Sequence, residues 1–130
     1  AIKEACGSID QMMQVIKNKP RSFTVISGDD GLTLPLIAVG GEGVISVAGN
    51  AFPKEMSQLV RLALNKDFEN AKTIHYKLLD SISNMFAEGN PCGVKEYLSQ
   101  QGKMKNEFRL PMVPASQKLS EKIKNDLRRY

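Results

Sequence analysis

Phe23-Thr24-Val25-Ile26-Ser27-Gly28-Asp29-Asp30-Gly31 is the stretch on which the fold turns. Its β-branched run Thr24, Val25, Ile26 suits a strand buried on both faces, as in a parallel sheet covered by helices. Gly28 to Gly31 reads as a turn and helix cap. A short apolar helix is predicted from about Leu32 to Val39, ended by Gly40 and Gly41. Upstream, Ala1 to Glu4 predicts another strand, entering a turn at Gly7. Ser8 or Asp10 then caps a helix whose Ile9, Met12, Met13 and Ile16 recur every three or four residues, with Pro20 beyond its end. Downstream, Val44 to Val47 predicts a third strand. Strands alternating with helices in this way are the mark of β/α units on a parallel sheet.

From Ala51 onward the strand signals stop. Pro53 sits near a helix start, and Met56, Leu59, Val60, Ala63 and Leu64 form one apolar stripe. Asp67 can cap a following helix that turns Ala71, Ile74, Leu78 and Ile82 inward. Asn90-Pro91 breaks the chain before a helix from about Gly93 to Gln101, and the prolines at 111 and 114 keep Phe108 to Pro114 out of regular helix. Ser116 caps a last amphipathic helix through Leu119, Ile123 and Leu127. The chain therefore divides into β/α units at 1–65 and a helical region at 66–130. Three parallel strands leave two unpaired edges, whereas a closed (β/α)₈ barrel needs eight strands and typically about 250 residues. A chain that opens in a strand, without an initiator methionine, is what a truncated or processed segment would look like.

Composition narrows the function classes. With 130 residues, 42% of them hydrophobic and 25% charged, the chain has the make-up of a folded domain and not of a disordered segment. The longest apolar runs fall far short of the roughly 20 residues that span a bilayer, so no membrane role is expected. The net charge of +4 is a tail effect: residues 101–130 hold eight Lys and Arg against three Asp and Glu, which leaves the first hundred residues at minus one. A solvated helix face accounts for such a tail, and no nucleic-acid partner is expected. Cys6 and Cys92 are far apart in sequence and outside any paired spacing, which suggests two small, semi-buried thiols in a reduced, cytoplasmic setting. His75 has no second histidine or cysteine near it, so a packing or surface role is expected and no metal or cofactor.

Lys3 is the candidate with chemistry. Alternation along a strand sends Ile2 and Lys3 to opposite faces, so a sheet that packs Ile2 under helices turns Lys3 to the other side. An amine taken out of water is held neutral more readily, and a neutral amine attacks a ketone to give an imine. The protonated imine is an electron sink that lets the adjacent carbon lose a proton and add to an aldehyde.

The surrounding phrases carry a resemblance. Ile2-Lys3-Glu4-Ala5, Gly7, Asp10 and Gln11, Ser27-Gly28-Asp29-Asp30, Thr33-Leu34-Pro35, Gly40-Gly41, Gly43-Val44-Ile45-Ser46-Val47 and Asn50, in this order, resemble the dihydrodipicolinate synthases from their sixth barrel strand onward. Pro53-x-Glu55-Met56, Asn90-Pro91-x-x-x-Lys95 and Arg109-Leu110-Pro111 extend the likeness over nearly the whole chain. The resemblance implies an α/β fold made of the last three β/α units, strands 6 to 8, of a TIM (β/α)₈ barrel, followed by a helical appendix. It implies the Schiff-base condensation of pyruvate with L-aspartate 4-semialdehyde to 4-hydroxy-tetrahydrodipicolinate, in lysine and diaminopimelate biosynthesis, by a cofactor-free lyase that is commonly a homotetramer.

Residue by residue, Lys3 matches the family's imine-forming lysine, and Ile45 the residue whose backbone lies against bound pyruvate. Gly28 and Asp29 match positions near the second substrate's pocket, and Asn90 a further polar group at its mouth. The family's carboxylate-binding threonine pair, tyrosine relay, semialdehyde-binding arginine and most of its lysine-feedback site lie upstream of the lysine. Tyr76, Tyr97 and Tyr130 match none of them, so the 130 residues alone are expected to be close to inert. Two other readings are another pyruvate-imine enzyme, such as an N-acetylneuraminate lyase or a keto-deoxy-sugar acid aldolase, and a non-catalytic assembly module that associates through its open sheet edges.

Overall fold

The computed structural model describes residues 1–130, which form two compact units, 1–77 and 78–130. In the first unit, strand β1 (Ile2–Glu4) leads into helix α1 (Ile9–Asn18) and then strand β2 (Val25–Ser27). A 3-10 turn (Asp30–Leu32) runs into helix α2 (Thr33–Ala38), followed by α3 (Ala48–Ala51) and α4 (Pro53–Leu64). Helix α5 (Phe68–Phe86) runs from the first unit into the second, which also holds α6 (Cys92–Gln100) and α7 (Gln117–Leu127).

β1 and β2 pair in parallel, with Ile2 opposite Val25, Lys3 opposite Ile26 and Glu4 opposite Ser27. Parallel pairing needs a crossover, and α1 supplies it. Ser8 caps α1 by accepting from Gln11 N at 3.3 Å. Met12 of α1, Val25 of β2 and Leu36 of α2 are completely buried and pack together, so the two helices share one face of the sheet. A second cluster joins Ile37, Ala63 and Ala71 from α2, α4 and α5.

The third strand expected over Val44 to Val47 is corrected to a single parallel bridge between Ser27 and Val44, held by Ser27 N to Gly43 O at 2.8 Å and Ile45 N to Ser27 O at 2.9 Å. The backbone turns helical at Val47 (φ −79°, ψ −47°), because the N–H groups of Val47 and Ala48 donate to the Asp30 carboxylate and not to a strand. The strand expected from Phe23 begins only at Val25, since Phe23 N is used in a turn to Pro20 O. Leu64 leaves the α4 stripe and is 48% exposed, while Met56, Leu59 and Ala63 are buried. The two thiols are both free and differ from expectation: Cys6 is exposed in the turn after β1, and Cys92 is buried.

In the second unit, Ser116 caps α7 through Leu119 N at 3.2 Å, and Phe108 to Pro114 is irregular, both as expected. Asp126 is buried and accepts from Tyr97 Oη at 2.6 Å and Ser81 Oγ at 2.5 Å, with Arg129 at 3.1 Å. Burial, and next the Asp126 bond, push the Tyr97 phenol well above its usual range. Gly93 meets the end of α5 backbone to backbone. A methyl group there would lie 2.6 Å from Asn84 O, Met85 Cα and Met85 O, so Gly93→Ala should destabilise this unit by about 1–3 kcal/mol. A urea midpoint unchanged by that substitution would show that the helices part without cost. No helix is long and apolar enough to cross a membrane.

Candidate active site at the strand ends

Residues paired across a parallel ladder point to the same face, and the faces alternate along each strand. Ile2, Glu4, Val25, Ser27 and Val44 therefore share the face that the helices cover. Val25 and Ser27 there are fully buried and Glu4 is 8% exposed, while Ile2 keeps 37% of its surface. Lys3, Ala5, Ile26, Gly28 and Ile45 share the opposite face. Lys3 and Ala5 on this face are exposed, and so is Ile45 at 52%, while Ile26 and Gly28 are half-buried.

Lys3 and Gly28 are brought into contact. Gly28 N donates to Glu4 O at 2.7 Å, extending the ladder by one step. A methyl group on Gly28 would stand 2.9 Å from Lys3 Cε, 3.1 Å from Lys3 Cγ and 2.7 Å from Ala5 Cβ. The missing side chain at position 28 is what lets the lysine stem lie across the end of β2. Ile45 sits at the far side of β2 from Lys3. Two strand spacings of roughly 4.8 Å put its backbone about 10 Å from that of β1, an interval that a lysine side chain and a three-carbon keto acid together can fill.

Around this face the loops are tied down. Asp29, half-buried, caps the 3-10 turn by accepting from Gly31 N at 2.9 Å, so its turn-forming role is realised whatever else it does. Asp30 is 1% exposed, and its carboxylate accepts from Ser46 Oγ, from Val47 N at 3.0 Å and from Ala48 N at 3.2 Å. Ser46 Oγ in turn accepts from Gly49 N at 2.7 Å. In sequence Asp30 reads only as part of a turn, and nothing local reports this network. Two adjacent aspartates after a glycine hint at two different jobs without saying which one faces inward.

Glu4 follows Lys3 and holds the turn beyond it, accepting from Cys6 N at 2.8 Å. The Cys6 side chain first, and the Cys6 backbone N–H next, keep the Glu4 carboxyl below the usual carboxylate range against a smaller opposing effect of burial. A depressed carboxyl pKa contributes stability above its unfolded value of about 4.3, and that contribution is lost as pH falls through the folded value. A carbon-13 titration should give Glu4 a midpoint below an ordinary glutamate, and Cys6→Ala should raise it. An ordinary midpoint in the unaltered chain would remove Glu4 from the account of this turn.

Asn90 belongs to the second unit, where it is exposed ahead of Pro91. His75 is 5% exposed with Nδ1 unpartnered, and burial lowers its pKa; it is a packing residue. No group of three or more His, Cys, Asp or Glu side chains comes together as a metal would require.

Comparison with known proteins adds the family. The model of the "Dihydrodipicolinate synthetase family" matches residues 1–130. A 4-hydroxy-tetrahydrodipicolinate synthase of Phocaeicola vulgatus is 56% identical over 124 residues, 95% of this chain and 42% of that protein. The crystal structure of dihydrodipicolinate synthase from Aquifex aeolicus superposes with a TM-score of 0.94 at 42% identity, over 98% of this chain and 44% of the other. The 4-hydroxy-tetrahydrodipicolinate synthase of Methylacidiphilum fumariolicum gives 0.95 at 42% identity, over 98% and 43%. The chain thus spans less than half the length of the relatives it matches.

Proposed function

We propose, from the premise that this chain belongs to the dihydrodipicolinate synthetase family, that it supplies the imine-forming part of an enzyme that condenses pyruvate with L-aspartate 4-semialdehyde. The observation that carries this reading is the uncovered sheet face on which Lys3 lies across Gly28, with Ile45 beyond. Active sites of parallel β/α folds gather at the C-terminal ends of the strands, and all three residues stand there. The fold class is α/β, and the strands correspond in this proposal to the sixth, seventh and eighth of a closed barrel whose remainder covers the Lys3 face.

In the proposed reaction the Lys3 amine adds to C2 of pyruvate and the carbonyl oxygen leaves as water. The methyl carbon loses a proton, and the resulting enamine carbon forms a bond to the aldehyde carbon of the semialdehyde. Ile45 lies along the pyruvate, and Gly28 and Asp29 face the second substrate. Residues 1–65 hold the site and 66–130 form the helical region, which serves contacts between copies in an oligomer. The threonine, tyrosine and arginine groups the family needs lie outside these residues. Acid–base help of that kind is worth roughly 10²- to 10⁴-fold and oriented carboxylate binding adds its own share, so the 130 residues by themselves should turn over scarcely at all.

The test is a substrate comparison on the complete protein carrying this segment. Condensation of pyruvate with L-aspartate 4-semialdehyde is expected to proceed with a kcat/KM at least about 10²-fold above cleavage of N-acetylneuraminate or a keto-deoxy-sugar acid. A reversed preference would move the assignment to those aldolases. The assembly reading has one observation of its own: a hollow of about 520 Å³ beside the last bridge, lined by Ile26, Gly43, Val44 and Ser46 and by Met56 and Val60 of α4. A strand from a complementary segment fits that edge by backbone pairing. Sedimentation of residues 1–130 as a lone, well-behaved monomer would count against it.

A further inference from the structure

The Asp30 carboxylate joins the loop after β2 to the segment after the Val44 bridge. Asp30 follows Asp29 by one residue and Gly28 by two, and its carboxylate accepts from Ser46 Oγ, Val47 N and Ala48 N, immediately after Ile45. It is 1% exposed, and three donors from one segment satisfy it. Such a carboxylate is expensive to bury unless its hydrogen bonds are complete, which makes the arrangement rigid: moving either loop breaks several bonds at once. Ser46 passes the constraint on by accepting from Gly49 N, and Ser27 Oγ fastens the other end by donating to Asp29 O at 2.7 Å.

We propose that Asp30 is a positioning residue, a clamp that fixes the distance between the Gly28–Asp29 loop and the Ile45 backbone and thereby the width of the substrate mouth. This rests on the assignment of those three residues to the substrates. It adds that their mutual placement is set by one carboxylate that touches neither substrate. The role requires acceptor atoms and not charge, because an asparagine carbonyl can accept from Val47 N and Ala48 N while its amide donates to Ser46 Oγ.

The experiment is steady-state kinetics and thermal melting of the complete protein with Asp30→Asn, Asp30→Ala and Ser46→Ala. Asp30→Asn should stay within a few-fold of the unaltered protein. Asp30→Ala should raise KM for pyruvate and for the aldehyde by about 10- to 10²-fold, the scale of an ångström-sized misplacement. Ser46→Ala should move both KM values the same way by less, and it decides the matter if Asp30→Ala does not fold. A lowered melting temperature with unchanged KM values would reduce Asp30 to a stabilising cap and overturn the proposal. An Asp30→Asn variant as impaired as the alanine would overturn it too, since charge would then be the requirement. Borohydride trapping of pyruvate on the unaltered protein separates the two levels: with Lys3 labelled, failure of the kinetic pattern counts against the clamp alone, and with Lys3 unlabelled the substrate assignment itself falls.

Discussion

Replacing Lys3 with alanine in the complete protein is expected to abolish condensation, with a loss on the order of 10³-fold or more, as removal of a covalent nucleophile does. The fold should survive. The Lys3 side chain belongs to no buried cluster of residues 1–130, its backbone alone makes the ladder with β2, and the buried cluster of Met12, Val25 and Leu36 lies on the opposite side. Lys3→Ala should therefore melt close to the unaltered protein while losing turnover. Lys3→Arg should be equally inactive, because a guanidinium stays protonated and offers no free electron pair to a ketone. Retained turnover in either variant would mean that another group carries the pyruvate.

The second large effect is expected at Gly28. A methyl group there comes within 2.9 Å of Lys3 Cε and 2.7 Å of Ala5 Cβ, closer than carbon atoms approach one another. The lysine has a flexible stem and can swing away; the Ala5 backbone cannot yield so cheaply. Gly28→Ala should thus displace the amine from its line across β2. A displacement of about an ångström is expected to cost on the order of 10²-fold in kcat/KM. Imine formation should slow as well as turnover, which single-turnover trapping with borohydride would read. A Gly28→Ala variant with an unchanged trapping rate would show that the lysine does not depend on the open space at that position.

The parts of the fold that were legible were those where local chemistry and packing agree. Ser8 and Ser116 are the caps their positions suggest, Pro53 opens α4, and the run Val25-Ile26 is a parallel strand packed under α1 and α2. The reading failed where a distant group overrides local propensity. Gly43-Val44-Ile45-Ser46-Val47 has the residues of a strand, yet the Asp30 carboxylate, sixteen and more residues away, draws Ser46, Val47 and Ala48 into a helix start. Nothing in the local pattern reports a partner at that distance. Cys6 departs from its semi-buried expectation for a similar reason: the Glu4 bond to its backbone shapes a turn that leaves the thiol outside.

The site shows the same division. Alternation on β1 is enough to separate Lys3 from the helix-covered face, whereas Gly28 and Ile45, which share its face of the ladder, come only from the resemblance. The contact between Lys3 and Gly28 was not visible in sequence, because it depends on the register of β1 against β2, which no periodicity fixes. The clamp at Asp30 was hidden by its neighbour. Asp29 meets the ordinary requirements of a turn, and only the burial of the second aspartate tells the two apart.

One chemical event underlies the whole account: a keto acid condensing with a single amine. Reduction of the complete protein with borohydride in the presence of labelled pyruvate, followed by peptide mapping, tests it most directly. The label should appear once per chain, on the peptide containing Lys3, and digestion by trypsin after that residue should be blocked. Label on a different lysine, or none at all under conditions of full turnover, would contradict it.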